Sequence, residues 1–255
     1  MRVAVTGAAG RIGRVAHPGL GKLGHEVVAM DIAPADGVES VDIGDSAALG
    51  PLLRGCEAVV HFAADPGETS FDGALNSHLR LTHSVLEAMR NVGVPRLVYA
   101  SSNHAVGFTP RTELLSAQTR VRPDTFYGFG KAATEALCSL YADRYGIATA
   151  CLRIGTFADR PQSRRDLSIW LSPGDAVRLV EACLTAPELT FAIVYGISAN
   201  TRGWWDLEPA RALGYRPEDD AEDFAADVLA TPESADDRFA ALHVGGEFCR
   251  PDVVG

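Results

Sequence analysis

The 255-residue sequence has no apolar run approaching the roughly 18 residues that a membrane-spanning helix needs. It also has little positive charge, since 23 Lys and Arg residues stand against 33 Asp and Glu residues, for a formal net charge of −10. Nucleic acids and anionic membranes bind clusters of Lys and Arg, so neither is expected as the main partner. A small anionic ligand is compatible with this charge, because it needs only one local cationic contact.

Metal-binding cysteine motifs are absent as well. The sequence has five cysteines, at positions 56, 138, 151, 183 and 249. Their spacing fits no metal-ligand pattern, so no metal site is predicted, and their odd number and scatter are typical of reduced thiols. Met1 leads directly into an apolar strand, with no charged leader or cleavage site. We therefore expect a cytoplasmic protein with no membrane segment.

Short β-branched runs alternate with helical stretches through the first two-thirds of the chain, which is typical of a parallel sheet covered by helices on both faces. Strands are predicted at 2–5, 26–30, 39–41, 58–62, 96–100, 148–153 and 191–195, and helices at 46–54, 71–92, 127–145 and 175–186. We predict an α/β fold with a Rossmann-like, doubly wound parallel sheet. Residues 1–155 form its core, and 156–255 form a small substrate lobe and C-terminal tail that does not fold alone.

A glycine-rich loop, Thr6–Gly13, directly follows the first strand and opens a helix, which is the context in which such a loop binds a dinucleotide. The tight turn and the close backbone approach to a pyrophosphate need glycine, and the helix N-terminus stabilises the phosphates. We expect Pro18 to bend this helix or end it early. The cofactor contacts predicted in the loop are Gly7, Ala9, Gly10, Arg11, Ile12 and Gly13.

Acidic residues end the next two strands. A carboxylate at Asp31 can accept hydrogen bonds from both ribose hydroxyls and repel a 2′-phosphate, which favours NAD over NADP, although Arg11 offsets part of that repulsion. Asp42 and Ile43 follow the third strand. They are candidates for the adenine end of the site, and a plain strand-ending turn is the alternative.

Tyr127 and Lys131 share one helix face, because they are four residues apart. An ammonium group there can lower the pKa of a phenol, which is about 10 in water and too high for a base near neutrality. The pair Ser101-Ser102 precedes them at the end of a predicted strand. A serine hydroxyl brought alongside could hold a substrate oxygen.

Together with the glycine loop, these residues resemble the extended short-chain dehydrogenases/reductases of the NAD-dependent epimerase/dehydratase superfamily. The resemblance implies Ser102 as the catalytic hydroxyl, Tyr127 as general acid/base, and Lys131 as the group that lowers its pKa and holds the nicotinamide ribose. Ser101 becomes a cofactor neighbour, or alternatively the catalytic hydroxyl itself. Further cofactor contacts implied by the resemblance are Phe62, Ala63, Ala64, His78 and Ile154.

Several motifs follow one another in an order similar to that of uronate dehydrogenases. They are Ser101-Ser102-Asn103-His104, Tyr127-Gly-x-x-Lys131, Arg153-Ile154-Gly155, Arg165 and Gly203-Trp204-Trp205-Asp206. This resemblance implies NAD-dependent oxidation of the anomeric C1 hydroxyl of a hexuronic acid, such as glucuronate or galacturonate, to an aldarolactone. It also implies a homo-oligomer. The substrate contacts that it implies are Asn103, His104, Thr156 and Arg165, the last holding the carboxylate through a bidentate fork.

Several of these residues have plainer interpretations. His104 could be a turn residue, Arg165 or its neighbour Arg164 could be loop surface, and the Trp204-Trp205 pair could pack the lobe rather than form a sugar platform. The chain also departs from the pattern of the family at two positions. His78 stands where a helical Asn is usual, and Pro66 stands where uronate dehydrogenases tend to have Ser.

These departures leave the sugar open. A sugar-phosphate or neutral-aldose dehydrogenase keeps the chemistry and changes the ligand, and Asp65-Pro66 together with the Arg164-Arg165 pair support this alternative. A nucleotide-sugar epimerase or dehydratase and a non-catalytic NAD(P)-sensing regulator are further alternatives. Nucleotide-sugar enzymes usually need a longer C-terminal region, and the regulators typically lose the Tyr or the Lys that this chain keeps.

Overall fold

The computed structural model describes residues 1–112 and 114–253. Its main sheet has seven strands, all parallel, in the order β3-β2-β1-β4-β5-β6-β9. These strands are β1 (Arg2–Thr6), β2 (Glu26–Asp31), β3 (Glu39–Ser40), β4 (Ala58–His61), β5 (Arg96–Ser102), β6 (Ala148–Ile154) and β9 (Phe191–Gly196). The two short strands β7 (Thr156–Phe157) and β8 (Trp170–Leu171) pair separately. The predicted Rossmann-like sheet is confirmed.

Helices cover both faces of this sheet. They are α1 (Gly13–Lys22), α2 (Ser46–Leu53), α3 (Phe71–Ala74), α4 (Leu81–Val92), α5 (Phe126–Tyr145), α6 (Asp166–Ile169), α7 (Pro173–Thr185), α8 (Glu208–Ala212), α9 (Ala225–Leu229) and α10 (Ala235–Ala240). The helix predicted over 71–92 is three consecutive pieces, because a π-helix, Leu75–Arg80, joins α3 to α4. None of the helices in the described ranges is long and apolar enough to cross a membrane.

The alternation of side chains along β1 explains why both faces are covered. Val3 and Val5 pack with Leu20 of α1 on one face, whereas Ala4 packs with Leu49 of α2 on the other. Successive residues of a strand point to opposite faces, so a strand that is apolar throughout must be buried on both sides. A central parallel sheet follows.

The expected early end of α1 at Pro18 is wrong, since the helix continues to Lys22, and the alternative of a bend stays a prediction. A proline inside a helix loses its N–H bond and its ring clashes with the carbonyl of residue i−4, but packing of the next turn can offset this cost. That packing is with α7: a Cβ on Gly19 would lie 2.6 Å from Cγ2 of Val177. Gly19 therefore serves the close approach of two helices.

The chain beyond residue 155 contributes to the core as well as to the lobe. β9 pairs with β6 from Thr149↔Phe191 to Ile154↔Gly196, and α7 covers the same edge of the sheet. The lobe proper surrounds two smaller clusters, one containing Trp205 and the other Trp170. The last segment, residues 241–253, returns to the carboxyl ends of the strands; we refer to it as the tail.

Candidate active site

The cofactor end of the site is built from the loop between β1 and α1. Gly7 has φ +73°, and a Cβ added there would lie 2.5 Å from the backbone nitrogen of Ala63. A Cβ on Gly13 would lie 2.0 Å from the Gly7 carbonyl oxygen. Only glycine fits at these two positions, so the backbone of the loop is open to a pyrophosphate at the start of α1.

A single cavity of about 750 Å³ runs from this loop to the ends of β5 and β6. It is large enough for a dinucleotide with a small ligand beside it. Nearly all of the site residues predicted from the sequence line it: Gly7, Ala9, Gly10, Arg11, Ile12, Gly13, Asp31, Asp42, Ile43, Phe62, Ala63, Ala64, Ser101, Ser102, His104, Tyr127, Lys131, Ile154, Thr156 and Arg165. The two that do not are His78 and Asn103.

Asp31 lies at the rim of the cavity, at the end of β2. Its carboxylate accepts hydrogen bonds from the backbone N–H of Ala9 (3.0 Å) and of Ala33 (2.9 Å). Arg11 points across the cavity instead, where it donates to the Phe157 carbonyl at 3.0 Å. The carboxylate at the ribose position therefore has no salt bridge with Arg11, and the preference for NAD over NADP is strengthened.

Tyr127 and Lys131 lie on the first turns of α5, which Thr125 caps by accepting the Gly128 N–H. Lys131 Nζ lies 5.6 Å from the centroid of the Tyr127 ring and donates to the Ala100 carbonyl at 2.7 Å. Burial lowers the pKa of Lys131 to about 7, with Glu135 acting in the opposite direction. The helix thus delivers a buried amine and a phenol to one wall of the cavity.

The expected lowering of the Tyr127 pKa is not what this arrangement gives. Burial raises the pKa of Tyr127, and Asp124 adds to the rise, while the Ser102 hydroxyl acts against it. Desolvation wins because the ammonium that should oppose it is itself buried and directed to a carbonyl. Ser102 is therefore the neighbour that favours the ionised phenol.

The two serines at the end of β5 face different partners. Ser101 donates to Glu135 at 2.5 Å, and that carboxylate is held by Arg153 through bonds of 3.0 and 2.9 Å. Ser102 instead accepts the N–H of His104 at 3.2 Å and lies beside Tyr127. The geometry favours Ser102, not Ser101, as the hydroxyl available to a substrate.

His104 and Tyr127 line the end of the cavity beside β5, which we refer to as the sugar end because the sequence predicts substrate contacts there. Their ring centroids are 5.7 Å apart, and Phe248 of the tail lies 4.4 Å from the imidazole on another side. Nδ1 of His104 donates to Asp124 at 2.6 Å, so the ring is fixed in orientation. This contact makes His104 more than a turn residue.

Of the adjacent arginines, only Arg165 reaches the cavity. Its Nη2 donates to the Val244 carbonyl at 2.6 Å, while Nε is buried with no partner among the described residues. Arg164 is exposed and donates to the Thr231 carbonyl. Burial lowers the pKa of Arg165. A largely buried guanidinium that lines the same cavity as Ser102 and Tyr127 suits a carboxylate ligand.

Asn103 and His78 lie behind the wall of the cavity. Asn103 Nδ2 donates to the Val244 carbonyl at 3.2 Å, the same acceptor that Arg165 uses. The His78 ring packs edge-on against Tyr127, with centroids 5.3 Å apart. Asn103 thus anchors the tail, and His78 supports the ring of Tyr127. The direct contacts of both residues with a ligand stay predictions.

The aromatic pair of the lobe lies outside the cavity. Trp205 packs on Tyr195, with ring centroids 5.0 Å apart, and the Arg111 guanidinium stacks 3.9 Å from the Trp204 ring. This packing supports the interpretation of the pair as lobe structure. Within the described ranges, no group of three or more His, Cys, Asp or Glu side chains could hold a metal ion.

Comparison with known proteins agrees with this geometry. Residues 3–166 match the NAD dependent epimerase/dehydratase family. The chain belongs to this family. The membership predicted from the sequence is confirmed, and so is NAD as its cofactor.

Relatives within and near this family are similar over most of their length. The chain is 40% identical to a uronate dehydrogenase of Pseudomonas syringae pv. tomato, over 100% of this chain and 95% of that protein. Its structure is similar to a crystal structure of a mutant uronate dehydrogenase from Agrobacterium tumefaciens complexed with NAD, with a TM-score of 0.91. The two sequences are 36% identical, and the match covers 97% of this chain and 96% of that one. An NAD-dependent glucose-6-phosphate dehydrogenase of Haloferax volcanii is 34% identical, over 87% of this chain and 95% of that protein.

Two parts of this epimerase/dehydratase site were not found by sequence reasoning. Asp124 precedes α5 in Arg122-Pro123-Asp124, and only its position just before the catalytic helix could have drawn attention to it. Phe248 and the Val244 carbonyl come from the tail, more than a hundred residues from His104 in the sequence. No local pattern predicts that contact, because it depends on where the tail returns in the fold.

Proposed function

We propose that this protein oxidises the anomeric C1 hydroxyl of a hexuronic acid, such as glucuronate or galacturonate, to an aldarolactone. The observation that carries the proposal is Arg165, a largely buried guanidinium that lines the same cavity as Ser102 and Tyr127. A uronate carboxylate bound in the cavity would pair with this cation and neutralise the buried charge.

The catalytic residues then have distinct tasks. Ser102 donates a hydrogen bond to the C1 oxygen, and Tyr127, as the general base, removes its proton. When bound by the glycine loop and Asp31, NAD would supply the hydride acceptor. Because the ring oxygen stays attached to C1, loss of the hydroxyl proton and of a hydride from C1 would leave a lactone. Lys131 lies near the phenol and would hold the nicotinamide ribose.

The first test is Tyr127→Phe in the presence of NAD and glucuronate. We expect kcat to fall by about 10²- to 10⁴-fold, the usual contribution of a general base, with the Kd for NAD changed by less than about twofold. In the wild type, activity should rise with pH on the alkaline side, since the raised pKa of Tyr127 makes its base form scarce at neutrality. NAD binding without turnover of any sugar by the wild type would favour a sensor instead.

The second test separates sugars. Arg165→Gln should raise KM for glucuronate by about 10- to 100-fold, the loss of a charge-assisted hydrogen bond, and leave KM for glucose nearly unchanged. Arg164→Gln is the matched control, because its side chain lies outside the cavity and should leave both values unchanged. Initial rates of NADH formation with glucuronate, galacturonate, glucose 6-phosphate and glucose complete the panel.

The sugar-phosphate alternative loses part of its support in the structure. It drew on the Arg164-Arg165 pair, of which only Arg165 lines the cavity, and on Asp65-Pro66, which do line it. A higher kcat/KM for glucose 6-phosphate than for either uronate would nonetheless replace the uronate proposal with that alternative.

A further inference from the structure

A buried carboxylate, Asp124, lies behind the sugar end of the cavity. Its side chain has 0% of its surface exposed, and it immediately precedes the helix that carries Tyr127. Oδ2 accepts the Nδ1–H of His104 at 2.6 Å, and Oδ1 accepts the hydroxyl hydrogen of Thr125 at 3.1 Å. A buried carboxylate is costly unless it is hydrogen-bonded in this way, so its position calls for a physical reason.

Three glycines from separate segments make room for this carboxylate. A Cβ on Gly107 would lie 1.9 Å from Asp124 Oδ2, one on Gly245 would lie 1.8 Å from it, and one on Gly128 would lie 2.9 Å from Oδ1. Gly107 and Gly245 have ordinary helical backbone angles, with φ −54° and φ −72°. Backbone strain therefore does not demand glycine there; the space taken by Asp124 does.

The contact fixes which nitrogen of His104 carries the proton. A carboxylate only accepts hydrogen bonds, so Nδ1 of the neutral ring is protonated and Nε2 is an acceptor. Nε2 has no hydrogen-bond partner within the described ranges, and it is not among the buried unpartnered atoms. Since the ring lines the cavity, this lone pair is open to a ligand.

Asp124 is poorly suited to act on Tyr127 directly. Its negative charge raises the pKa of Tyr127, which opposes formation of the phenolate. It also lies near enough to Arg165 to stabilise that guanidinium. Its charge therefore opposes the proposed base, and only its hydrogen bond to His104 joins it directly to a side chain that lines the cavity.

We propose that Asp124 is a positioning residue, which locks His104 in the Nδ1–H tautomer so that Nε2 accepts a hydrogen bond from a sugar hydroxyl beside the one that Tyr127 deprotonates. The assumption that this hydroxyl belongs to a sugar rests on the proposed function. The tautomer itself does not, because it follows from the contact between Asp124 and His104.

A kinetic cycle tests the proposal. In Asp124→Asn the amide N–H donates to Nδ1 and moves the ring proton to Nε2, so kcat/KM for glucuronate should fall by about 10- to 100-fold, as for a lost hydrogen bond to a ligand. In a His104→Gln background the same change should cost less than about threefold, because there is no tautomer left to set. Equal losses in both backgrounds would overturn the proposal.

Asp175→Asn is the matched control for burial. Asp175 is also fully buried, and it accepts the N–H groups of Glu218 and Asp219 at 2.9 and 3.1 Å, away from the cavity. Its substitution should lower the Tm and leave kcat/KM unchanged. If Asp124→Asn behaves like this control, with a lower Tm and wild-type kinetics, the carboxylate has only a structural role.

Nitrogen-15 NMR of the wild-type protein decides the tautomer without any variant of Asp124. The His104 signals, assigned by their loss in His104→Gln, should show protonated Nδ1 and unprotonated Nε2. A protonated Nε2 would overturn the inference even if uronates are turned over. Conversely, the expected tautomer in a protein that oxidises no uronate would leave the positioning role intact and remove the proposed substrate.

Discussion

At the scale of single residues, the functional difference between Ser101 and Ser102 comes from the faces of β5. Adjacent residues of a strand point to opposite sides, so one hydroxyl enters the buried pair of Glu135 and Arg153 while the other lies beside Tyr127. The family resemblance favours Ser102 and leaves Ser101 as the alternative. Both serines line the cavity, and their different hydrogen-bond partners favour Ser102.

This difference gives a paired prediction. Ser102→Ala should lower kcat by about 10²- to 10³-fold, as expected for the loss of a donor to the reacting oxygen. Ser101→Ala should leave kcat within about threefold but lower the free energy of unfolding by about 1.5–3 kcal/mol, because it removes a hydrogen bond to a buried carboxylate. Steady-state kinetics and urea denaturation measure the two effects. A collapse of kcat in Ser101→Ala alone would reassign the catalytic hydroxyl.

At the scale of elements, the π-helix Leu75–Arg80 directs His78 against the catalytic helix. The His78 ring fills the space over Gly130, where a Cβ would lie 2.6 Å from its Cδ2. Both ring nitrogens are buried without a partner in the described parts of the chain. Burial and the charge of Lys131 lower the pKa of His78 to about 3, so the ring is neutral at physiological pH. Extra turns of this kind are frequent at functional sites.

The neutral His78 makes stability depend on pH. Its pKa in the folded protein is about 3, below the ordinary 6.5, so the unfolded chain alone takes up the proton between these values. The free energy of unfolding therefore falls as the pH drops below 6.5. Between pH 6.5 and 5, His78→Asn should reduce that fall by about 2 kcal/mol, at about 1.4 kcal/mol per pH unit. Urea denaturation at pH 7 and 5 measures it, and identical falls in both proteins would contradict the burial of a neutral ring.

At the scale of the whole molecule, the tail completes a site whose catalytic residues lie far from it in the sequence. The Val244 carbonyl accepts from both Asn103 and Arg165, and Phe248 packs on His104. No hydrogen bond, by contrast, joins the cofactor loop to the described part of the tail. The two halves of the cavity are therefore supported by different parts of the chain, and they can be separated by experiment.

Removal of residues 241–255 should impair the sugar end alone. We expect KM for glucuronate to rise by at least about tenfold, because Arg165 loses the carbonyl that holds it, while the Kd for NAD changes by less than about twofold. Calorimetric titration with NAD and initial rates measure these quantities. Phe248→Ala should give a smaller rise in KM. An unchanged KM after truncation would show that the tail is not part of the sugar site.

His61 is a second residue that should make stability depend on pH, and it joins two strands of the sheet to a helix. His61, at the end of β4, is buried between Thr6 of β1 and Thr82 of α4, at 2.6 and 3.1 Å. Burial, with the Lys131 charge, lowers its pKa to about 3. As with His78, only the unfolded chain takes up a proton on His61 between pH 6.5 and about 3. The free energy of unfolding of the wild type should therefore fall by about 2.7 kcal/mol per pH unit below 6.5 for the two histidines together. A thermal melt series from pH 7 to 5 that shows constant Tm would contradict this.

By itself, the sequence determined the class of fold and the cofactor, and it proposed the trio Ser102, Tyr127 and Lys131, whose catalytic roles stay a prediction. Apolar runs of strand length, a glycine loop between a strand and a helix, and a Tyr and Lys one helical turn apart are local patterns, and local geometry fixes what they can form. Only the tertiary structure decided which serine is held by Glu135 and which lies beside Tyr127, which arginine lines the cavity, and that Asp124 and the tail contact His104. Those choices depend on contacts between segments that are distant in the sequence, and on the space that neighbouring segments leave. No local pattern encodes either.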